Sequence, residues 1–598
     1  MTAVEPRALA SELRRAGLRD VDDSTRRRAE YSTDASNYRV VPRVVIFPHH
    51  VEEVEAALAF AAGHGIPLTS RGGGTSTAGN AVGAGIVLDF SRHLNRVVDV
   101  DPDLRTALAE PGTILDDITA AAAPYGLRYG PDPSTHARAT IGGSIGNNAC
   151  GSRALKYGRT ADNVLELDVL TATGVRFAAR RFGRTGIPTG GPAAPLLGGL
   201  DAIVGEHLGT IRTEFGRFPR QVSGYSFEHL LPEQGMDVAK FLVGTEGTLV
   251  VVLGATVRLV ESPKAVALAV LGYPDMPAAA DAVPDLLPHA PVAIEGMDAR
   301  LVNVVRTRRG PAAVPDLPRG EGWLFVETAG DTEQEARAAA EKIVADAGCL
   351  DSTIVSGPIA KALWRIREDG AGLGGRTPGG APAWPGWEDA AVPPRNLGPY
   401  LREFAALLTE HQVDGLAYGH FGDGCVHARI DFPFSTEPTR FREFVVAAAQ
   451  LVGRHGGSMS GEHGDGRARG ELLPYMYSAE AIAAFRQAKQ LFDPADLLNP
   501  GVIVDPAPVD ADLRVPAAKP LRKHLGFAYP NDGGDLSTAV HRCVGIGKCR
   551  ADTTPTGGVM CPSYLATKDE KDSTRGRARV LQELANGSLV NGYRADEL

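Results

Sequence analysis

The sequence predicts an α+β protein of several domains, and three observations support this class. The chain has 598 residues, more than a single hydrophobic core normally holds. Short strands and helices alternate up to about Val260, and helical stretches alternate with strands again from Ala265 to about Leu408. Residues 504–519 are rich in Pro, Ala and Asp, which is typical of a linker. The predicted domains and segments are 1–264, 265–408, 409–505, 506–525 and 526–598.

The spacing of apolar residues predicts the individual elements. An apolar stripe that ends in glycines predicts a helix over 48–65, and residues 66–70 predict a strand that leads into a glycine-rich loop. A Gly-, Pro- and Trp-rich loop over 370–394 is long enough to suggest a functional role. The same reasoning predicts a strand over 86–89, a hairpin over 97–110, a helix over 113–123 capped by Thr113, a strand over 323–328 and a helix over 331–347.

Composition limits the classes of partner and compartment. The net charge of −10 argues against nucleic acid as the main partner. No run of 18 apolar residues is present, so we expect no transmembrane helix. Residues 1–20 predict an amphipathic helix and not a secretory signal. We therefore expect a cytoplasmic protein, with peripheral contact at a membrane left open, and the sequence does not set an oligomeric state.

Three glycine-rich loops fall in the first predicted domain. The first, residues 71–76, reads Arg-Gly-Gly-Gly-Thr-Ser, and the others lie at 141–151 and 244–249. Successive backbone N–H groups in such a loop can form an anion-binding nest, although one such loop alone is more often a tight turn. The helix-opening Gly-x-Gly-x-x-Gly of nicotinamide-binding folds is absent from the sequence, which disfavours NAD. Three loops together favour a dinucleotide bound in an extended conformation.

In order and spacing, these loops resemble those of the vanillyl-alcohol-oxidase/PCMH flavoproteins over about residues 40–505. The resemblance implies a PCMH-type FAD-binding domain, a ferredoxin-like substrate (cap) domain and a C-terminal helical return segment. Many family members attach FAD through a His in the first loop, but this chain has Gly74-Thr75-Ser76 there, so noncovalent FAD is expected. The implied FAD-binding residues are Arg71, Gly72, Gly73, Gly74, Thr75, Ser76, Gly79, Pro131, Asp132, Ser134, Gly142, Gly143, Asn147, Gly151, Glu246, Gly247 and Asn499.

Two later segments concentrate side chains that commonly bind metals. Residues 419–427 read Gly-His-Phe-Gly-Asp-Gly-Cys-Val-His, and residues 461–466 read Gly-Glu-His-Gly-Asp-Gly. Glycine lets the backbone turn sharply and approach a ligand closely. Two His and one carboxylate make a common open metal site. The alternative is that these are structural histidines, but polar side chains set among glycines are poor core material.

Local spacing indicates how these side chains could meet. Alternation over 426–431 predicts a strand with His427, Arg429 and Asp431 on one face. The glycine-rich turn that precedes this strand can fold His420 back beside His427. Glu462 must then approach from a separate loop.

The same segments resemble those of the D-2-hydroxyglutarate and D-lactate dehydrogenase branch of the family. Residues 364–368 match the family segment that supplies a substrate-binding Arg, and Arg367 occupies the matching position. The resemblance implies that His463 is a general base which removes the substrate hydroxyl proton, while the C2 hydrogen passes as hydride to FAD. The implied ligands of a divalent metal, with zinc expected, are His420, His427 and Glu462.

Arg429 departs from the family pattern. Family members often carry Asn at this position, and the Lys that helps some of them bind a distal carboxylate is not evident in 384–391. A guanidinium pairs bidentately with carboxylates, so Arg429 could replace that Lys. A structural ion pair with Asp431 or Glu462 is an equally open alternative.

Three cysteines cluster near the C-terminus, at Cys543, Cys549 and Cys561. Cys-Pro at 561–562 is typical of iron–sulfur loops, and the stretch resembles the start of a helical iron–sulfur domain in longer fused dehydrogenases. A complete [4Fe-4S] motif would have Cys in place of Ile546, so the ligand set is incomplete. Three reduced cysteines without a cluster are the alternative. A cluster would pass electrons from FAD to an external acceptor.

These observations predict an FAD-dependent D-2-hydroxyacid dehydrogenase, with D-2-hydroxyglutarate as the expected substrate. D-lactate and glycolate are the nearest alternatives. A rival of another class is an FAD-containing transferase similar to the alkyl-glycerone-phosphate synthases, and a further rival is a catalytically silent subunit of a redox complex. Quinone, an electron-transfer flavoprotein and another redox chain are all left open as the electron acceptor.

Overall fold

The structure, a computed structural model, describes residues 5–183, 186–368, 375–377, 381–554 and 558–598. The strands of these residues form three sheets. The predicted functional loop at 370–394 lies partly outside the described residues, and its described part ends in the short strand β15. The strands are β1 (Val21–Asp22), β2 (Val44–Ile46), β3 (Leu68–Arg71), β4 (Ile86–Asp89), β5 (Val97–Asp101), β6 (Thr106–Ala109), β7 (Leu127–Tyr129), β8 (Val164–Thr171), β9 (Arg176–Ala179), β10 (Val250–Glu261), β11 (Ala265–Tyr273), β12 (Ala293–Asp298), β13 (Gly322–Gly330), β14 (Asp351–Val355), β15 (Ala390–Ala391), β16 (Gly415–Gly419) and β17 (Cys425–Ile430).

Helices cover the sheets and connect them. Short 3₁₀ turns, such as Phe421–Asp423, join several of these elements. The α-helices of the described residues are α1 (Pro6–Arg15), α2 (Thr25–Glu30), α3 (Val51–His64), α4 (Leu115–Ala122), α5 (Ile141–Asn147), α6 (Ala154–Tyr157), α7 (Thr160–Asn163), α8 (Ala194–Glu206), α9 (Leu208–Glu214), α10 (Val238–Leu242), α11 (Met276–Leu286), α12 (Ala299–Arg309), α13 (Glu333–Asp346), α14 (Gly357–Glu368), α15 (Leu397–Glu410), α16 (Thr439–Arg454), α17 (Gly466–Arg469), α18 (Ala479–Phe492), α19 (Leu536–His541), α20 (Pro562–Thr567) and α21 (Thr574–Asn586).

The first sheet has the strand order β1-β2-β4-β3, and β2, β4 and β3 run parallel. Its central strands β2 and β4 are short, buried and mostly apolar, as expected for a parallel sheet that is covered by helices. Helices α1 and α3 contribute Leu9, Val54 and Leu58 to the same core. Helix α3 ends at Gly65 in the left-handed conformation (φ 58°), which glycine adopts without strain. Strand β3 then leads directly into the first glycine loop.

The second sheet is antiparallel, with the order β5-β6-β10-β8-β9 and β7 paired to β10. Its core includes Phe227 and Phe241 from the same half of the chain and also Phe485 and Phe492 from α18. The Phe485 ring packs edge-on against Tyr225, with centroids 5.4 Å apart. Helix α18 therefore returns from the C-terminal half to complete the core of the first half.

The third sheet has seven strands in the order β14-β11-β13-β12-β16-β17-β15. One face packs against α11, α13, α15 and α16, and the other packs against α12 and α14. Strands from both sides of the predicted boundary at 408 belong to this one sheet, since β12 pairs with β16. The sheet thus brings β16 and β17, which flank His420, next to strands of the predicted cap domain.

The elements predicted from apolar spacing form close to their predicted positions. The helix predicted over 48–65 is α3, the hairpin predicted over 97–110 is β5–β6, and the helix predicted over 331–347 is α13. Thr113 does not cap α4, because the helix begins at Leu115 and the Thr113 hydroxyl donates to the carbonyl of Arg96. Among the described residues, no helix is both long and apolar enough to cross a bilayer.

Residues 526–598 pack against the N-terminal half of the chain. Helix α21 contacts α2, and Arg579 of α21 donates to the carbonyl oxygens of Glu30 and Asp34, both at 2.9 Å. The predicted linker is also partly buried, since Arg514 is 2% exposed and its N–H donates to the carbonyl of Asn37. The C-terminal segment is therefore held against the first glycine loop and its neighbours.

Candidate active site

One cavity connects the glycine loops to the His/Glu cluster. Residues 70–77, 142–147 and 245–247 line it on the side of the first half of the chain. His420, His427, Arg429, Glu462 and His463 line it on the other side. The two kinds of wall suit a dinucleotide with a small substrate beside it.

The first glycine loop is shaped by close contacts that exclude side chains. A Cβ at Gly72 would lie 2.0 Å from Thr140 Oγ1, and a Cβ at Gly73 would lie 2.4 Å from the carbonyl oxygen of Arg138. Gly74 has a φ of +60°, a conformation that L-residues rarely adopt. The backbone of this loop is therefore packed against 138–140 on one side and faces the cavity on the other. This arrangement leaves backbone amides as the groups that can contact a phosphate.

Most of the predicted FAD-binding residues line this cavity. Within the described chain, the residues on its wall are Arg71, Gly72, Gly73, Gly74, Thr75, Ser76, Ser134, Gly142, Gly143, Asn147, Glu246 and Gly247. Glu246 holds the two halves together, because its carboxylate accepts from the N–H groups of Asp465 (2.6 Å) and Gly466 (2.8 Å). Burial and the neighbouring Asp465 raise the pKa of Glu246 to about 8.

Five predicted FAD-binding residues do not line the cavity, and contacts explain this for four of them. The Asp132 carboxylate accepts from Arg153 at 2.6 Å, and Gly79 packs against the Tyr38 ring. The Asn499 side chain donates to the carbonyls of Asn80 and Glu246 and thereby ties loops together. Gly151 donates its N–H to Glu462, which makes it part of the His/Glu cluster. The fifth residue, Pro131, directly precedes Asp132 in the sequence and also lies off the cavity wall.

Glu462 is held so that one carboxylate oxygen faces the histidines. Its Oε2 accepts from the Gly151 N–H at 2.7 Å and from Arg220 Nη1 at 3.2 Å. Arg220 is itself fixed by Asp423, at 2.9 Å from Nη2. Burial alone would raise the pKa of Glu462, but His420, His427 and Arg220 hold it well below its usual range. The Oε1 atom is thus a charged oxygen aimed into the cluster.

Three imidazoles surround that oxygen. The distances from Glu462 Oε1 are 3.0 Å to His420 Nε2, 3.4 Å to His427 Nε2 and 3.6 Å to His463 Nε2. The turn at 421–423 folds His420 back so that its ring centroid lies 5.0 Å from that of His427, as the sequence predicts. The His427 and His463 rings are stacked at 5.0 Å. The predicted cluster is therefore brought together in the structure.

The opposite nitrogen of each predicted His ligand is anchored to a protein acceptor. His420 Nδ1 lies 2.8 Å from Glu295 Oε1, and His427 Nδ1 faces the carbonyl oxygen of Glu388. Burial opposes charge on both rings and lowers the pKa of His427 to about 4, whereas Glu295 and Glu462 raise that of His420. Anchored Nδ1 atoms leave both Nε2 atoms available as ligands, which is the usual arrangement around a bound metal.

His463 differs from the other two histidines in its exposure. Its side chain is 28% exposed, against 4% for His420 and 6% for His427. Its backbone N–H donates to Asp389 Oδ2 at 2.7 Å, and its Nδ1 lies 3.3 Å from Thr77 Oγ1. The ring is thus positioned by its backbone and remains open to the cavity, which suits a group that exchanges protons with a substrate.

The donor set fits a divalent metal. Two imidazole nitrogens and one carboxylate oxygen converge, and their outer atoms are held by Glu295, Arg220 and backbone groups. Among the described residues, the group of ligand atoms at this site that lie within 4.8 Å of one another consists of those of Asp389, His427, Glu462 and His463, and it does not include His420. The Asp389 Oδ2 atom, however, already accepts from the N–H groups of residues 461–463 and from the Ser460 hydroxyl. We therefore assign Asp389 to shaping the loop rather than to binding a metal.

Arg367 and Arg429 both reach the cavity but differ in their partners. Arg367 is 3% exposed, pairs with Glu295 and lies against the His420 ring. Arg429 is 2% exposed, and its Nε and Nη1 atoms have no hydrogen-bond partner within the described chain. The structural ion pairs considered for Arg429, with Asp431 or Glu462, do not form among the described residues. The Asp431 carboxylate instead accepts from the N–H of Asp414.

The three C-terminal cysteines are neighbours in the structure, since the Cys543 thiol is near enough to add to burial in raising the pKa of Cys549. Cys549 and Cys561 pack with Tyr564 in a small apolar cluster, and the Cys561 thiol donates to the carbonyl of Asp572 at 3.1 Å. Among the described residues, no group of three metal-type ligand atoms within 4.8 Å of one another contains Cys543, Cys549 or Cys561. That spacing applies to the ligands of a single ion, whereas the thiolates of a cluster bind different iron atoms and lie farther apart, so the iron–sulfur cluster stays a prediction.

Several residues of the site carry no signal in the sequence. Glu295 lies on β12, far along the chain from the His/Glu segments, and Arg220 lies outside any motif. Glu388 and Asp389 belong to the loop at 370–394, whose length suggested a functional role, but length does not indicate which of its residues matter. Tyr418 also lines the cavity, and it could have been found from the sequence because it alternates with His420 at the end of β16. The remaining positions depend on how the chain packs.

These features define the class of protein. The first half of the chain, at 42–179, matches the model of an FAD binding domain, and residues 262–503 match the model of the C-terminal domain of FAD linked oxidases. The chain belongs to the FAD-linked oxidases, and its fold is the PCMH-type fold with an FAD-binding cavity. A D-lactate dehydrogenase of Archaeoglobus fulgidus is 31% identical over 482 residues, covering 79% of this chain and 95% of that protein.

Within the family, the chain lies in the D-2-hydroxyglutarate and D-lactate dehydrogenase branch. A D-2-hydroxyglutarate dehydrogenase of Pseudomonas putida is 32% identical over 603 residues, and one of Escherichia coli is 30% identical over 597 residues. These matches cover 96% and 93% of this chain. The chain spans only 59% and 57% of the lengths of these two relatives.

Solved structures confirm the fold. A 4-ethylphenol oxidase from Gulosibacter chungangensis aligns with a TM-score of 0.60 over 84% of this chain and 98% of that chain, at 14% identity. An alkyldihydroxyacetonephosphate synthase aligns with a TM-score of 0.54 over 80% of this chain and 82% of that chain, at 16% identity. Enzymes of different names share this architecture, so the site and not the fold must distinguish between activities.

The close packing behind the first loop gives a test of the FAD site. Gly73→Ala should weaken FAD binding at least about tenfold, because the new Cβ would push the loop away from the Arg138 carbonyl. FAD titration into the apo chain, followed by flavin fluorescence, measures this effect. Gly63→Ala is the matched control, since Gly63 lies in α3 with open space around its Cα, and should leave FAD affinity unchanged. Equal affinities of the two variants would contradict this role of the loop.

Proposed function

We propose that the chain oxidises a D-2-hydroxyacid, with D-2-hydroxyglutarate as the preferred substrate, to the 2-oxo acid. The observation that carries the proposal is Arg429, a buried guanidinium with two unpartnered nitrogens on the wall of the FAD cavity. Arg429 lies near the Glu388 carboxylate and the Tyr418 hydroxyl, but its two unpartnered N–H groups are costly to bury, so they are best explained by an anionic ligand that pairs with them. D-2-hydroxyglutarate has a second carboxylate to offer, whereas D-lactate and glycolate do not. The names of the relatives supply the D configuration.

Each side chain of the site has a proposed role in this reaction. Bound FAD would accept the hydride, and a divalent metal, proposed to be zinc and held by His420, His427 and Glu462, would acidify the substrate hydroxyl. His463 takes the hydroxyl proton at Nε2, the nitrogen that faces Glu462, because its Nδ1 faces Thr77. Proton removal by a positioned imidazole typically contributes roughly 10²- to 10⁴-fold to a rate.

The two arginines would orient the substrate. Arg367 lies against His420 and its own charge is balanced by Glu295, so it can contact the carboxylate beside the reacting carbon. Arg429 is proposed to pair with the distal carboxylate. Two fixed contacts at opposite ends of a short dicarboxylate would hold its C2 atom in one place. The C-terminal cysteines do not enter this proposal, and we propose an external electron acceptor of a class that the site does not define.

The test is anaerobic flavin reduction by single substrates. Purified, metal-analysed chain is mixed separately with D- and L-2-hydroxyglutarate and with D- and L-lactate, and flavin absorbance is followed. Rapid bleaching by D-2-hydroxyglutarate, with slower bleaching by D-lactate, is the expected result. Loss of bleaching after chelation, and its return with added zinc, would support the metal.

The alternatives give different outcomes in the same experiment. A transferase similar to the alkyl-glycerone-phosphate synthases would retain FAD and show no bleaching by any of the four acids. A silent redox subunit would retain FAD but contain no metal. Faster bleaching by D-lactate than by D-2-hydroxyglutarate would make D-lactate the preferred substrate and would contradict the role proposed for Arg429.

A further inference from the structure

The C-terminal segment contacts the outer side of the first glycine loop. Arg575 Nη1 donates to the carbonyl oxygens of Gly73 (2.9 Å) and Gly74 (3.1 Å), and Arg550 Nη1 donates to that of Gly73 (3.0 Å). Neither arginine is on the cavity wall, whereas both glycines are. The matched family models end at residue 503, so these two arginines lie outside the part of the chain that defines the family.

These contacts determine where the loop amides point. In a trans peptide, the C=O of one residue and the N–H of the next point in opposite directions. Because the carbonyls of Gly73 and Gly74 point back to the arginines, the N–H groups of Gly74 and Thr75 point to the other side, where the cavity lies. In the described chain, neither N–H donates to a protein atom. They are therefore two aligned donors available to a ligand.

The charge behind the loop also favours an anion. Glu570 forms ion pairs with Arg575 at 2.7 Å, with Arg550 at 3.5 Å and with Arg579 at 3.8 Å. One carboxylate shared by three guanidiniums leaves net positive charge in this group. A carbonyl that accepts from a guanidinium also polarises its peptide, which strengthens the N–H on the opposite side as a donor.

A short stretch between two of the cysteines completes this wall. Ile546 lines the cavity, and its carbonyl accepts from Arg138 Nε at 2.7 Å. Gly545 and Gly547 on either side have φ values of +85° and +72°. A Cβ at Gly545 would lie 2.4 Å from the carbonyl oxygen of Asp34, so the stretch is pressed onto the N-terminal half.

We propose that Arg550 and Arg575 are positioning residues that hold the Gly74 and Thr75 amides for the pyrophosphate of FAD. FAD affinity then depends on docking of the C-terminal segment, although that segment is not part of the family's FAD-binding domain. This inference concerns cofactor binding alone and does not rest on the proposed substrate.

The test compares arginine variants of the full chain in binding assays. Arg575→Met should raise the Kd for FAD by roughly 10- to 100-fold, because two charge-assisted contacts to the loop are lost. Arg577→Met is the matched control, since Arg577 is exposed on the same helix, α21, and should leave the Kd within about twofold. The readouts are FAD titration of the apo chain and competition by inorganic pyrophosphate.

Pyrophosphate competition separates positioning from general packing. Inorganic pyrophosphate should compete with FAD in the parent chain, and its inhibition constant should rise in Arg575→Met by about the same factor as the Kd for FAD. An unchanged inhibition constant, or no competition in the parent chain, would overturn the proposal. So would a Kd for FAD within twofold of the parent value.

A second variant covers the case in which Arg575→Met does not fold. Arg550→Met keeps the pair between Arg575 and Glu570 and should still raise the Kd for FAD several-fold. Thermal unfolding of the chain without FAD and at one fixed, high FAD concentration provides a further check, because the stabilisation by a ligand rises with the logarithm of its concentration divided by its Kd. The rise in midpoint on adding FAD should shrink in Arg550→Met. A full rise would contradict the proposal.

Discussion

Replacing Arg429 by Met should lower kcat/KM for D-2-hydroxyglutarate by about 100-fold and leave that for D-lactate within about threefold. The physical reason is that the guanidinium lacks a partner on Nε and Nη1, so a distal carboxylate would meet donors that nothing else occupies. Removal of two buried N–H donors without partners should also raise the stability of the substrate-free chain by roughly 1 kcal/mol, although Arg429 lies near the Glu388 carboxylate. Steady-state kinetics with a dye acceptor and thermal unfolding measure the two effects.

The combination of the two effects is what identifies a ligand-binding arginine. Arg402→Met is the control, because Arg402 is an exposed arginine paired with Asp281, and neither kinetics nor stability should change appreciably. Equal losses on both substrates would show that Arg429 does not bind the distal carboxylate. A fall in stability of Arg429→Met would show that the residue has a structural partner.

Replacing Glu462 by Gln should abolish the proposed metal binding and slow flavin reduction by about 1000-fold, or about 4 kcal/mol. The charged Oε1 atom is the point on which three imidazoles converge, so an amide at this position should weaken metal binding most directly. Metal analysis by mass spectrometry and anaerobic stopped-flow reduction measure the outcome. FAD content should stay near one per chain, because a Gln side chain at this position can still accept from the Gly151 N–H of the second glycine loop.

His463→Asn provides the contrasting variant. It should keep the metal and still reduce flavin roughly 10²- to 10⁴-fold more slowly, because the proposed base is lost while the ligands remain. The two variants therefore separate metal binding from proton transfer. Full metal content in Glu462→Gln would exclude it as a ligand, and metal loss in His463→Asn would assign that residue to the metal instead.

The sequence was sufficient for those parts of the site that depend on local constraints. The glycine loops could be predicted because their tight contacts admit no side chain, as at Gly72 and Gly73. The approach of His420 to His427 followed from a glycine turn and strand alternation, both of which are local properties.

Other parts depended on packing between distant segments and could not be predicted. Glu295 holds His420 from β12, and Arg220 holds Glu462 from a loop with no motif. Asp389 accepts four contacts from 460–463, yet a single Asp in a loop carries no pattern. Five of the predicted FAD-binding residues do not line the cavity. A loop can therefore match a family pattern although only some of its residues face the ligand.

Helix α18 has a consequence for how the molecule is made. Its buried residues, among them Phe485 and Phe492, together with the flanking residues Leu473, Tyr477, Val502 and Ile503, complete a core whose other buried residues come from 107–259. On the ribosome, the first half must wait with an apolar groove uncovered until residue 492 has emerged, and contacts this distant in sequence form slowly. During synthesis the nascent chain would therefore present a binding surface for chaperones, and fragments that end before α18 should aggregate when expressed alone.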